Sequence, residues 1–127
     1  MNACRNPSSI HAPVAAYSHQ CEVKGPERIL FLPGQVGLRA DGTLPTDPIE
    51  QLQVSMENLA ANLDAANMAI EDIVKLTIFV AGDMDAAGRR ATLSAALGEH
   101  KPCMTVVNVV SLASPAYRVE VDAWAAH

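Results

Sequence analysis

Aromatic residues are scarce in this chain. Two Phe, two Tyr and one Trp are spread over 127 residues, so the interior must be packed mainly from Ala, Val, Leu and Ile. Basic residues are also few and do not cluster. Nine Lys and Arg stand against fourteen Asp and Glu, for a net charge of −5. No basic run is interleaved with aromatics, which argues against nucleic acid as a partner. No run of eighteen apolar residues occurs, so no membrane partner is expected. Met1 to Pro7 lack the apolar stretch of a secretory signal, and none is expected. Cys4, Cys21 and Cys103 are odd in number and far apart, with no C-x-x-C pair. Neither a disulfide framework nor a thiolate zinc site is expected, and a reducing cytoplasm fits that usage. His11, His19, His100 and His127 show no i, i+4 pairing and no carboxylates at ligand spacing, so no metal or cofactor is expected.

What is present is a small, apolar domain. Half the residues are hydrophobic and 18% are charged, and residues 1–127 are long enough for one domain with a sizeable core. So lightly charged a surface hints that another subunit covers part of it. Residues 1–13, with two prolines and several small polar residues, read as a loose leader. Ala15 to Val23 and Arg28 to Leu38 read as strands, the second interrupted at Pro33-Gly34-Gln35, where a bulge or a close backbone approach is expected. Asp47, Pro48 and Glu50 open a helix with a cap, a proline at the first position and an acid three residues after the cap. Leu52, Met56, Leu59, Leu63 and Ala66 then form one apolar stripe, and Asn67 can end it. A strand follows over Ile73 to Val80, with Val74, Leu76, Ile78 and Val80 on one face. Asp83 is the expected cap of a second helix ending near Leu97 and Gly98, and Gly88 should weaken it.

The last quarter carries two β-rich runs, Lys101 to Val110 and Tyr117 to Ala125, either side of the short turn-like segment Ser111 to Pro115. They are expected to pair as an antiparallel hairpin. Alternation in the second run places Arg118, Glu120, Asp122 and Trp124 on one face and Tyr117, Val119, Val121, Ala123 and Ala125 on the other. A face with three charges in five positions must meet water, a subunit or a ligand. The expected order is ββαβαββ, an α+β subunit with one mixed sheet, two helices on one face of it, and an open face for oligomerisation.

That layout and several local motifs resemble the RidA (YjgF) family of reactive-intermediate deaminases from about residue 15 to residue 125. Ala16-Tyr17-Ser18-His19 is similar to the family's N-terminal Tyr-Ser motif, and Phe31-Leu32-Pro33-Gly34-Gln35-Val36 to its Ser-Gly-Gln strand. Gln51 with Glu57-Asn58-Leu59 matches its first helix, and Asp72 to Phe79 its middle strand. Pro102 and Val119-Glu120-Val121-Asp122-Ala123 match its closing segment. The resemblance implies a chorismate-mutase-like subunit, a homotrimer whose sheets form a central barrel, and three small-molecule clefts between subunits. It also implies an arginine that grips the substrate carboxylate and a glutamate that orders the water hydrolysing a 2-imino or 2-enamino acid.

Carried over residue by residue, Glu120 takes the glutamate position and Tyr17 the pocket tyrosine. Gly34 keeps its backbone amide, although Pro33 replaces the preceding serine. Met104 stands at the arginine position, so the carboxylate fork is missing, and Arg90 replaces a pocket asparagine. Each has a plainer alternative. Met104 can fill a gap at a subunit contact, and Glu120 can pair with Arg118 or a neighbouring lysine. Tyr17 can anchor the N-terminal segment, Arg90 can lie on a solvated helix face, and Cys103 reads as an inert thiol. Three functions follow: a deaminase with altered specificity, a non-catalytic metabolite-binding trimer, or an endoribonuclease, which the acidic charge disfavours.

Overall fold

The computed structural model describes residues 2–127. Its elements are β1 (Asn2–Arg5), β2 (Gln20–Val23), β3 (Ile29–Val36), α1 (Pro48–Ala65), a 3-10 turn (Ile70–Asp72), β4 (Ile73–Ala81), α2 (Ala86–Leu97), β5 (Cys103–Val109) and β6 (Val119–Ala126). Four strands form the main sheet in the order β3-β6-β4-β5, and β1 and β2 form a separate two-stranded ribbon.

α1 forms as its local sequence demands. The Asp47 carboxylate accepts the Glu50 N–H at 3.0 Å, Pro48 occupies the first helical turn, and Asn67 leaves the helix at φ +53°. Arg28 donates to the Ala66 and Asn67 carbonyls at 2.6 and 3.2 Å, placing a cation at the helix C-terminus. Leu52, Leu59 and Leu63 are at most 1% exposed, and each contributes roughly 1.5–3 kcal/mol by burial. They meet Leu32 of β3, Leu76, Ile78 and Val80 of β4, and Val119, Val121 and Ala123 of β6 in one core.

Polar side chains fix how α1 meets β3. Asn58 donates to the Val36 and Leu38 carbonyls at 3.1 and 2.8 Å. Gln51, 1% exposed, donates to the Pro45 and Ala116 carbonyls and accepts the Arg118 N–H at 2.8 Å. Its buried amide is thus satisfied at both ends. A side chain at Gly37 would lie 2.7 Å from the Gln51 Cα, so only glycine lets the helix come this close.

Several expectations are corrected. The final hairpin does not form: β5 runs parallel to β4, and β6 lies antiparallel between β3 and β4. The physical reason is burial. Val119, Val121, Ala123 and Ala125 are fully buried and belong at the sheet centre, whereas β5 is largely exposed and suits an edge. α2 supplies the crossover that a parallel β4–β5 pair requires. The strand expected over Ala15 to Val23 is confined to Gln20–Val23, and its partner, Asn2–Arg5, comes from the segment read as a loose leader. That antiparallel register sets Cys4 opposite Cys21, and the two form a disulfide. Residue spacing alone could not reveal it. In β4, a register shift between Ile73 and Lys75 gives Ile73, rather than Val74, to the core face. The cap of α2 is Asp85, not Asp83, and it accepts the Gly88 N–H at 2.8 Å. A side-chain carbon at Gly88 would stand 3.0 Å from the capping Asp85 carboxylate and 3.2 Å from Ile49, so glycine fits this tight contact without a shift of either. The interruption expected at Pro33-Gly34 is a register shift between Leu32 and Gln35 on the edge strand β3.

Candidate functional site

The expected site residues fall into two groups on opposite faces of the main sheet. The first is on the face the helices leave uncovered. Glu120 lies opposite Val36 on β3 and Phe79 on β4. Its carboxylate extends over Gly34, where any side-chain carbon would overlap it. Gly34 therefore makes room for the acid, a role beyond offering a backbone amide. Among the described residues, no hydrogen bond or ion pair engages the Glu120 carboxylate. Arg118, the alternative partner, turns away: its guanidinium donates to the Ala81 and Asp83 carbonyls at 2.8 and 2.9 Å and pins the loop between β4 and α2.

The same face carries Lys75, whose ammonium donates to the Thr105 hydroxyl. Near its end, Phe31 and Trp124 pack edge to face at 4.9 Å while remaining 60% and 53% exposed. Cys103, a free thiol, shares register with Lys75 on this face, opposite in direction to Met104.

The second group lies on the helix side, where β5, α2 and residues 14–16 enclose a cavity of about 350 Å³. Met104 and Val106 of β5, Leu93 and Leu97 of α2, and Val14 to Ala16 line it. Arg90 lines it, as do Arg89 and Lys101, two cations the sequence reading did not single out. Their signal was local: Arg89 adjoins Arg90, and Lys101 immediately precedes Pro102, the residue before β5. No acidic residue lines the cavity, and His100 at its edge is held by the Ile73 carbonyl at 2.7 Å. An apolar slot rimmed by uncompensated cations can receive an anion with an apolar body.

Tyr17 stands beside this slot without lining it. Its ring packs against His19 at 5.4 Å, and its hydroxyl accepts the Val14 N–H at 3.4 Å, bracing the 14–17 turn. Ser18 fastens that turn to the start of β5: its hydroxyl donates to the Lys101 carbonyl and its N–H to the Pro102 carbonyl at 3.1 Å. Arg90 and Met104 are thus brought together, as are Gly34 and Glu120, and the sheet separates the two pairs. No helix of the described residues is long and apolar enough to cross a membrane.

This fold matches known proteins closely. The family profile described as Endoribonuclease L-PSP covers residues 8–127. The RutC family protein YjgH of Escherichia coli is 34% identical over 73 residues, 58% of this chain and 55% of its own length. The 2-iminobutanoate/2-iminopropanoate deaminase of Escherichia coli is 34% identical over 85 residues, 65% of this chain and 66% of that one. The aligned stretches thus span between about half and two thirds of these two relatives. The crystal structure of YyfB from Yersinia pestis, a Rid-family protein titled as of unknown function, superposes with a TM-score of 0.90. It is 28% identical, over 99% of this chain and 98% of that one. The chain belongs to the RidA (YjgF) family, and its α+β subunit has that family's chorismate-mutase-like fold.

Proposed function

We propose that the chain acts as a homotrimeric deaminase that hydrolyses a reactive imine or enamine acid, with a specificity changed by the loss of the arginine at position 104. The observation that carries this reading is the unpaired Glu120 carboxylate, held over Gly34 on the sheet face that the chain leaves uncovered. Within one chain the sheet lies between that acid and the Met104–Arg90 slot. A second copy docked on the open face would bring its own slot to Glu120 and cover Phe31 and Trp124, whose exposure is costly in water.

In that cleft Glu120 accepts a hydrogen bond from water and takes a proton as the oxygen attacks the C=N carbon. The imine nitrogen gains a proton, and collapse of the carbinolamine releases ammonia and leaves a 2-keto acid. Arg90 supplies the cation for the substrate carboxylate from α2. Met104 contributes an apolar surface where a fork of donors would otherwise stand. Tyr17 positions the 14–17 wall. The favoured substrates are therefore acids with bulkier apolar side chains. No cofactor, metal, nucleic acid or membrane enters the reading, and the Cys4–Cys21 disulfide removes the ground on which cysteine usage pointed to a reducing cytoplasm.

The test is ammonia or 2-keto acid release from imines generated by an amino-acid oxidase from leucine, phenylalanine and alanine, with semicarbazide as competing trap. The expected result is acceleration greatest for the larger side chains, and a loss of about 100-fold or more in Glu120→Gln with the fold intact. Sedimentation should give three copies of the 13.5 kDa chain. Trimers that bind such acids without accelerating hydrolysis would replace this reading with that of a non-catalytic binding protein. A monomer would overturn both.

A further inference from the structure

We propose that Cys4 and Cys21 form a thiol–disulfide switch on the α2–β5 pocket: oxidised, the pair holds the 6–19 segment as a pocket wall, and reduced, it lets that wall detach. The idea rests on the pocket being the ligand site, but it adds a regulatory modification to it. Residues 6–19 contain no helix or strand, yet Val14, Ala15 and Ala16 from this segment line the pocket together with Leu93 and Leu97.

The segment is fastened at both ends. At its C-terminal end, Ser18 bonds to Lys101 and Pro102, just ahead of Met104. Within it, Asn6 accepts the His19 N–H at 2.8 Å and the His19 ring meets the His11 carbonyl at 2.8 Å, and at its N-terminal end it runs into β1. That strand belongs to a ribbon of four residue pairs separate from the main sheet, and two such strands alone are marginal in water. Asn2 ties β1 to the Ala126 and Asp72 carbonyls at 2.8 and 3.4 Å, and the Arg5–Glu22 pair is solvent-exposed and adds little. The covalent tie is Cys4–Cys21. It closes the 6–19 segment into a loop and removes the entropy that segment would regain on detaching. Both cysteines are half-buried, within reach of a small thiol.

The exchange balances with glutathione disulfide as oxidant. One cysteine thiolate attacks it, forming a mixed disulfide and releasing one glutathione. The second thiolate displaces the other glutathione and closes the Cys4–Cys21 bond. Two electrons pass from the protein dithiol to the small disulfide. In a compartment rich in reduced glutathione, the reverse reaction opens the wall.

The experiment compares full-length protein, in a Cys103→Ala background, after equilibration with reduced or oxidised glutathione. Intact mass reports the two-hydrogen difference, and amide hydrogen exchange reports residues 6–19. Binding of 8-anilinonaphthalene-1-sulfonate, whose aromatic body and sulfonate fit the apolar slot and cationic rim, reports the pocket. Reduction is expected to speed exchange in residues 6–19 and to weaken dye binding by about tenfold, as the competent wall population falls. Cys4→Ser/Cys21→Ser should behave as the reduced protein in either buffer, and Arg90→Ala should lose the dye in both states. Thiols that stay free in the oxidising buffer, or exchange and affinity equal in the two states, would overturn the switch. Exchange needs no turnover, so a redox response without imine hydrolysis would sink the enzymatic reading and leave the switch standing.

Discussion

The two faces of the main sheet are completed in different ways. The covered face meets α1 and α2 of its own chain: Leu76, Ile78, Val119 and Val121 are all fully buried there. The uncovered face alternates with it residue by residue yet displays Lys75, Phe79, Glu120, Asp122 and Trp124. One face is finished by intramolecular packing. The other combines exposed rings with an acid that has no partner among the described residues, the features on which the proposed self-association rests. Core packing and the candidate acid are thus written on alternate residues of the same strands.

Truncating Ile78 on the covered face tests that division most severely. Ile78→Ala should cost about 2–5 kcal/mol in urea unfolding, because a fully enclosed side chain leaves a cavity. On the other face, Phe31→Ala should change the stability of the isolated subunit by under about 1 kcal/mol, while sedimentation shows weakened self-association. Equal losses at the two positions would erase the distinction between the faces.

A smaller effect concerns acid sensitivity at the rim. Burial pushes the Asp72 carboxyl up, but hydrogen bonds from the Ala69 N–H and from His127, with the nearby Arg28 charge, outweigh it and leave the pKa below the usual 3.8. A depressed folded pKa contributes stability that is present above the unfolded value and is lost as pH falls through the lower, folded one. Asp72→Asn should therefore be less stable than the native chain at pH 6, by about 1 kcal/mol or less given the exposed His127 partner. The difference should vanish as the pH drops well below 3.8 in chemical denaturation series. The smallest effect has the opposite sign. The Ser55 hydroxyl is buried in α1 with no hydrogen-bond partner among the described residues. Ser55→Ala should raise stability by about 0.5–1 kcal/mol by thermal melting, through relief of that group and better helix propensity.

What was legible in the sequence follows the range of the forces involved. α1 could be placed almost to the residue because Asp47, Pro48 and Glu50 act on neighbours within one turn and the leucine stripe repeats along a single helix. The alternation of β6 was equally readable, as was the irregularity at Pro33-Gly34. Strand order was not. Nothing local in residues 103–109 says that they pair in parallel with β4 instead of folding back on β6, since that choice depends on the crossover through α2 and on which strand is apolar enough for the centre. The site divides the same way. Glu120, Gly34, Met104, Arg90 and Tyr17 are candidates that the resemblance suggests, but their distribution over two faces was not legible, nor was the part that Arg89, Lys101 and Val14 to Ala16 play in lining the slot.

By itself the sequence determined the first helix, the apolar face of β6 and the residue types available for chemistry, because capping, periodicity and charge act over a few positions. Only the tertiary structure decided that Gly34 lies under Glu120, that Cys4 meets Cys21 across a ribbon, and that a sheet separates the acid from the slot. Those relations join residues distant in the chain, and register and layer packing, which bring them together, are properties of the whole fold.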